Sequence, residues 1–288
     1  MRIAAISFLN PAPLLYNFEH EPTATDLSTR YSVNYTLPSA CAEQLHAGTA
    51  DLGLIPIASL TPQLAIVPGC TIASLNEVRS ILLLVKNPAA LSRDEALTRV
   101  RTVAADAASR SSQAYTHILF EHFHHTRPTF HEEDAAQDDS PIRMLAAHDA
   151  ALLIGDPALL AREHRAQIDA AHPNLLWLDL AQLWRELTGL PWVAAVWAVR
   201  PEALTNFPAT QLIDDLIASR DAGLANTETL VTEWAPRIPI PATTIRTYLT
   251  QNIHYTLDSD CLRSIELFRT LAAKINTLPP LPTLNLLD

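Results

Sequence analysis

Glycine is scarce in this chain. Six occur in 288 residues: Gly48, Gly53, Gly69, Gly155, Gly189 and Gly223. No two stand at the spacing of a dinucleotide fingerprint or a P-loop, which need clustered glycines for backbone to approach phosphate. Nucleotide chemistry on those motifs is disfavoured, and no cofactor is expected. Lysine is scarcer, only Lys86 and Lys274. A Schiff-base enzyme would have to use one of them, and neither sits in a site-like motif. The cationic side chains are otherwise arginines, which suit fork-like recognition of carboxylates. The three cysteines, Cys41, Cys70 and Cys261, form no C-x-x-C pair. A sparse, odd set reads as reduced, buried thiols in a cytoplasmic protein. No apolar run approaches a membrane span, and "MRIAAISFLN" lacks the long apolar region of a signal peptide. Neither membrane insertion nor export is expected. The formal net charge of -11 argues against a nucleic-acid partner.

What is present is apolar and alternating. With 48% hydrophobic residues, the chain can bury the core of one large or two medium domains. Strand patterns at Arg2–Ile6, Tyr31–Thr36, Leu52–Ile55, "RTVAAD", "AALLIG" and "NLLWLDL" alternate with helical ones. "GCTIASLNEVRSILLLVK" reads as two strands. "WVAAVWAV" after Pro191 reads as a long buried strand, followed by a nearly all-helical remainder. Ser39 is a plausible N-cap, and the proline-rich tail is expected to lie extended. Such alternation gives mostly parallel sheets flanked by helices. Two series of units predict two lobes with a ligand cleft between them. Lobe one takes residues 1–85 and 196–288, and lobe two takes 86–195. Crossing strands are expected near 80–86 and 192–199.

Ligands of open α/β lobes bind at the carboxyl ends of strands. Four segments are expected to point into the cleft, three of them after strand ends and Ser80 at the entry to a crossing strand. Asn10 lies between a strand end and the Pro11 turn. It either holds a polar ligand group or caps the turn, and the local pattern favours the cap. Ser80, in "EVRSILLL", either bonds to backbone or faces the cleft. "SRSS", Ser109 to Ser112, precedes a helix, where free N–H groups attract anions and Arg110 can grip a carboxylate. Ser109, Ser111 and Ser112 would add hydroxyl donors; the alternative is one capping serine and a solvated arginine. "IGDPA" supplies Gly155 and Asp156, and Asp156 is again a ligand group or a helix cap. The histidines of "EHFHHTRPTFH", His122 to His131, lack a metal-ligand spacing, and no metal site is expected.

The ordered set "ISFLNPAPL", "ADLGLIPIA", "VRSILLL", "ASRSS", "LLIGDPAL", "LWRELTGLPWVAAVWA" and "YLTQNIHYTLDSDCLRSIELF" resembles the chorismate dehydratase family of the futalosine route to menaquinone. The resemblance covers nearly the whole chain. It implies the two-lobed type II periplasmic-binding-protein fold and a hydro-lyase. Chorismate would lose water to give 3-[(1-carboxyvinyl)oxy]benzoate. It implies Asn10 and Ser80 as the catalytic pair lining the cleft. Substrate binding would fall to the "SRSS" turn (Ser109, Arg110, Ser111, Ser112), with Pro56, Gly155 and Asp156. Asp156 is the only ionisable base in these motifs, so the proton acceptor is either Asp156 or a substrate carboxylate. The alternatives are a carboxylate-binding or sensor protein of the same fold, and the sister dihydroxynaphthoate-forming enzyme, whose N-terminal pattern differs from "SFLNPAPL".

Overall fold

The computed structural model describes residues 1–106, 110–133, 140–281 and 283–287. Its eleven named strands are β1 (Arg2–Ile6), β2 (Ser32–Thr36), β3 (Leu52–Pro56), β4 (Ala65–Ser74), β5 (Ile81–Lys86), β6 (Thr102–Asp106), β7 (Thr129–Glu133), β8 (Ala150–Ile154), β9 (Leu175–Asp179), β10 (Trp192–Val199) and β11 (His254–Leu257). They form two sheets, in the orders β11-β4-β10-β3-β1-β2 and β7-β6-β8-β5-β9. Helices flank both. The central strands are buried on both faces, so β3, β5, β8 and β10 read as continuous apolar runs rather than alternations.

Both sheets are mixed, where mostly parallel ones were expected. β1 runs parallel to β2 and β3, and β6 to β7 and β8, but β5 and β10 are antiparallel to their neighbours. The reason is how the chain changes lobe. A strand fed by a helix crossover starts at the far edge and ends at the cleft. A strand arriving directly from the other lobe starts at the cleft, so β5 and β10 run the opposite way.

This also corrects the expected boundaries. β5 lies wholly in the second sheet and β10 wholly in the first, so neither strand crosses. The changes of sheet fall in the short segments 75–80 and 189–191. The C-terminal part is not all helical either. β11 adds an edge strand beside β4. Only four residues long, with Tyr255 buried, it is too short for its alternation to stand out. Helix Pro38–His46 starts on Pro38, with no side-chain cap from Ser39. The tail meets the first sheet through a bridge of Leu286 to Ile66.

The first change of sheet is fixed by Asp179, at the end of β9. One carboxylate oxygen accepts from Val78 N–H at 3.2 Å and caps helix Leu180–Thr188 through Ala181 and Gln182 N–H. The other accepts from Arg79 N–H at 2.7 Å and Arg162 Nη2 at 3.1 Å. Arg79 is held at φ +67°, where a side chain is strained. The second change of sheet rests on an aromatic cluster of Tyr115, Trp184, Trp192 and Phe268. Two of its polar atoms are bonded: Tyr115 O–H donates to Val193 C=O, and Trp184 Nε1 to Ser264 Oγ; the Trp192 Nε1 is buried with no partner among the described residues.

Asp179→Ala leaves several backbone donors unpaired in a buried place and removes one of the two carboxylates that Arg162 pairs with. Its unfolding free energy is expected to fall by about 3–5 kcal/mol. Urea denaturation measures this, and a loss within the range of exposed substitutions would deny Asp179 that role.

Candidate functional site

Between the lobes lies a cleft with about 470 Å³ of empty space, its open mouth included, within the range of small-molecule sites, roughly 300–1,000 Å³. Its walls come from the ends of β1, β3, β4 and β8, the starts of β5 and β10, and the first turn of helix Arg110–Ile118. The lining brings together Asn10, Pro56, Ser80, Arg110, Ser111, Ser112 and Gly155 with Phe8, Pro38, Ile72, Ile81, Ala194 and Ala195, among others.

Ser80 follows Arg79, so the Asp179 carboxylate sets its position. It is 1% exposed. Its carbonyl accepts from Gly155 N–H at 2.8 Å, and its hydroxyl oxygen from Tyr248 O–H at 2.8 Å. That choice leaves the Ser80 proton available to a ligand. Tyr248 stays a donor because burial pushes its ionisation far up. The same hydroxyl engages the side chain of Asn10, and the backbone carbonyl of Asn10 accepts from Tyr255 O–H at 3.0 Å. Asn10 does not cap the turn after Pro11. Its Oδ1 is buried and has no partner among the described residues. A buried acceptor left empty costs about 1–3 kcal/mol, which a ligand donor would recover.

The serine-rich turn divides. Ser109 lies outside the described residues. The Ser111 hydroxyl is occupied: it accepts from Ala58 N–H and donates to Ala194 C=O, both at 3.2 Å. It thus ties helix Arg110–Ile118 to the first sheet. Ser112 is buried in the lining. Arg110 faces the cleft but is paired in the structure with Glu43, Nη2 to Oε1 at 2.7 Å.

Asp156 does not line the cleft, and it does not cap helix Gly155–Glu163. Its Oδ1 reaches the other lobe and accepts from Leu9 N–H at 3.1 Å. Burial pushes its carboxyl up to about 7, against the weaker opposing pull of that bond. Gly155 sits at φ +61°, and a Cβ there would come within 2.8 Å of the Phe8 ring. Only glycine lets the strand end and the ring close the back of the cleft.

The residues that the sequence did not single out are Phe8, Tyr248 and Tyr255. The tyrosines reach strand ends 168 and 245 positions away in the chain, a link no local pattern carries. The histidine-rich segment forms no metal-ready cluster among the described residues. His254, Asp258 and Cys261 do lie close enough to share an ion. Asp258 is engaged there as the helix cap on Cys261 N–H, and burial pushes the Cys261 thiol up to about 12, which disfavours the thiolate a metal needs.

A family model described as menaquinone biosynthesis matches residues 1–274. The chain belongs to that family. A chorismate dehydratase of Thermus thermophilus is 26% identical over 239 residues, which is 79% of this chain and 82% of that relative. Among solved structures, a protein of Archaeoglobus fulgidus superposes with a TM-score of 0.71 at 13% identity, covering 96% of this chain and 98% of the other. The alkanesulfonate-binding protein SsuA of Xanthomonas axonopodis, bound to MOPS, gives 0.68 at 14% identity, covering 99% and 96%. The periplasmic aliphatic sulphonate binding protein SsuA of Escherichia coli gives 0.63 at 13%, covering 100% and 93%. These structures establish the two-lobed periplasmic-binding-protein fold. Among the described residues no helix is long and apolar enough to cross a membrane.

Asp156 has a pH consequence. Its folded-state pKa of about 7 lies above the ordinary 3.8. The folded protein therefore holds that proton more tightly than the unfolded chain. The stability this confers is full below about pH 4 and is lost as pH rises through about 7. Asp156→Asn keeps an oxygen for Leu9 N–H and removes the titration. Melting temperatures at pH 5 and pH 8 should differ less in the variant than in the parent. An equal difference in both would show that Asp156 does not titrate in this range.

Proposed function

We propose that the protein is a cytoplasmic chorismate dehydratase, a hydro-lyase that converts chorismate to 3-[(1-carboxyvinyl)oxy]benzoate. Membership of the menaquinone biosynthesis family and the relative in Thermus thermophilus support the reading. Three buried free thiols accord with a reducing compartment. The observation that carries the mechanism is the character of the cleft. It offers hydrogen-bonding groups and one guanidinium, and its described lining holds no carboxylate, histidine or lysine.

The elimination takes the hydroxyl from ring C4 and the hydrogen from C3, and the ring becomes aromatic. Aromatisation drives it, so the protein's task is orientation and charge stabilisation. The unfilled Oδ1 of Asn10 accepts from a substrate hydroxyl. The Ser80 O–H donates to substrate oxygen, with Tyr248 fixing its direction. Arg110 and the start of its helix take a carboxylate, beside Ser112. With no base in the lining, the enolpyruvyl carboxylate of the substrate itself removes the C3 proton.

Incubating the purified protein with chorismate, without added metal, nucleotide or redox cofactor, should produce an aromatic ultraviolet spectrum. Tight binding without turnover would instead mark a binding protein. Asp156→Asn should retain much of the turnover, since Asp156 lies outside the cleft lining and its Oδ1 is taken by Leu9 N–H. A chorismate analogue whose enolpyruvyl carboxylate is an amide should fail to eliminate water. Turnover of the amide at the rate of chorismate would return the base to the protein.

A further inference from the structure

Arg110 is the one charged side chain in the cleft lining among the described residues. In the structure its charge is already answered. The Nη2 of Arg110 meets Glu43 Oε1 at 2.7 Å, and this is the only hydrogen bond or ion pair that Glu43's side chain makes among the described residues. The two belong to opposite lobes. Glu43 lies on helix Pro38–His46, which packs on β3 and β1 and places Pro38 in the cleft wall. Arg110 opens the helix that follows β6 of the second sheet. The pair therefore bridges the two lobes, beside a neighbouring hollow that both residues line.

Its exposure decides its behaviour. The side chains are 52% and 64% exposed, so the bond is screened and weak. Glu43 takes only one bond from the guanidinium, Nη2 to Oε1, and a ligand carboxylate inside the cleft would compete for the same positive charge. Two carboxylates gathered at one guanidinium repel each other, and the exposed one yields at less cost.

We propose that Glu43 is the resident counter-ion of Arg110, displaced when a dianionic ligand enters, and that it thereby sets the affinity of the cleft for carboxylates. Glu43 is a positioning residue: it acts through Arg110 and does not touch the ligand. Without a ligand it holds Arg110 and couples the two lobes. With a ligand it gives up Arg110 and returns to water. The inference rests on the proposed dicarboxylate substrate.

The experiment compares the parent protein, Glu43→Gln, Arg110→Ala and the double variant. Two readouts are used: KM and kcat for chorismate, and calorimetric Kd for 3-(carboxymethoxy)benzoate, an aromatic dicarboxylate with no hydroxyl to lose. Glu43→Gln should lower KM and Kd by about two- to fivefold, the change that loss of an exposed ion pair permits. Its kcat should stay within about twofold, because the pair is broken before the chemical step. In the Arg110→Ala background the same substitution should change neither. Equal tightening in both backgrounds would mean a general effect of removing negative charge and would overturn the proposal. So would unchanged or weaker binding in Glu43→Gln, or a cleft that binds neither ligand. If the dicarboxylate shows the coupling while chorismate is bound but not dehydrated, the proposed function fails and the counter-ion role stands.

Discussion

A single buried carboxylate, that of Asp179, holds together three parts of the molecule. It gathers the backbone donors of Val78 and Arg79, caps the helix that begins at Leu180, and pairs with Arg162. The segment that it grips is the path from the first lobe to the second. Ser80 comes next in the chain, and its hydroxyl enters the cleft at the angle this anchor allows. Arg79 pays for the turn with a left-handed backbone, which a rigid set of hydrogen bonds can hold and a loose loop could not.

From that anchor the cleft follows. β5 leaves it antiparallel to the strands on either side, so the start of β5 faces the ends of β1, β3 and β8. Short polar links then close the lobes on each other. Asp156 bonds to Leu9, Ser111 to Ala58 and Ala194, and Arg110 to Glu43. Each joins a helix start of the second lobe to the first. The resulting space is rich in donors and poor in bases. Such a site suits a substrate that carries its own charge and its own driving force, and needs the protein mainly to hold it.

Much of the fold was legible in order. Arg2–Ile6, "RTVAAD", "AALLIG" and "WVAAVWAV" all became strands, because runs of buried apolar residues bounded by proline, glycine or polar residues leave few options. β11 was missed because four residues give too little pattern. The mixed sheets were missed because direction depends on which end of a strand the chain enters, and periodicity is blind to that. Among the site residues, Asn10, Pro56, Ser80, Arg110, Ser111, Ser112 and Gly155 do face one cleft. Asp156 was placed beside them on the strength of its loop, and instead it bonds across the lobes.

The sequence by itself determined the α/β alternation, the strand-end position of Asn10 and Ser80, and the family, since these depend on residues close together in the chain or on ordered motifs. Only the tertiary structure decided which hydroxyls are free. Ser111 and Ser80 look alike as residue types, yet the first is bound on both sides by Ala58 and Ala194, while the second keeps its proton because Tyr248 donates to it. A hydrogen bond is directional, and its direction is set by the partner. Here the partners come from 53 to 168 positions away.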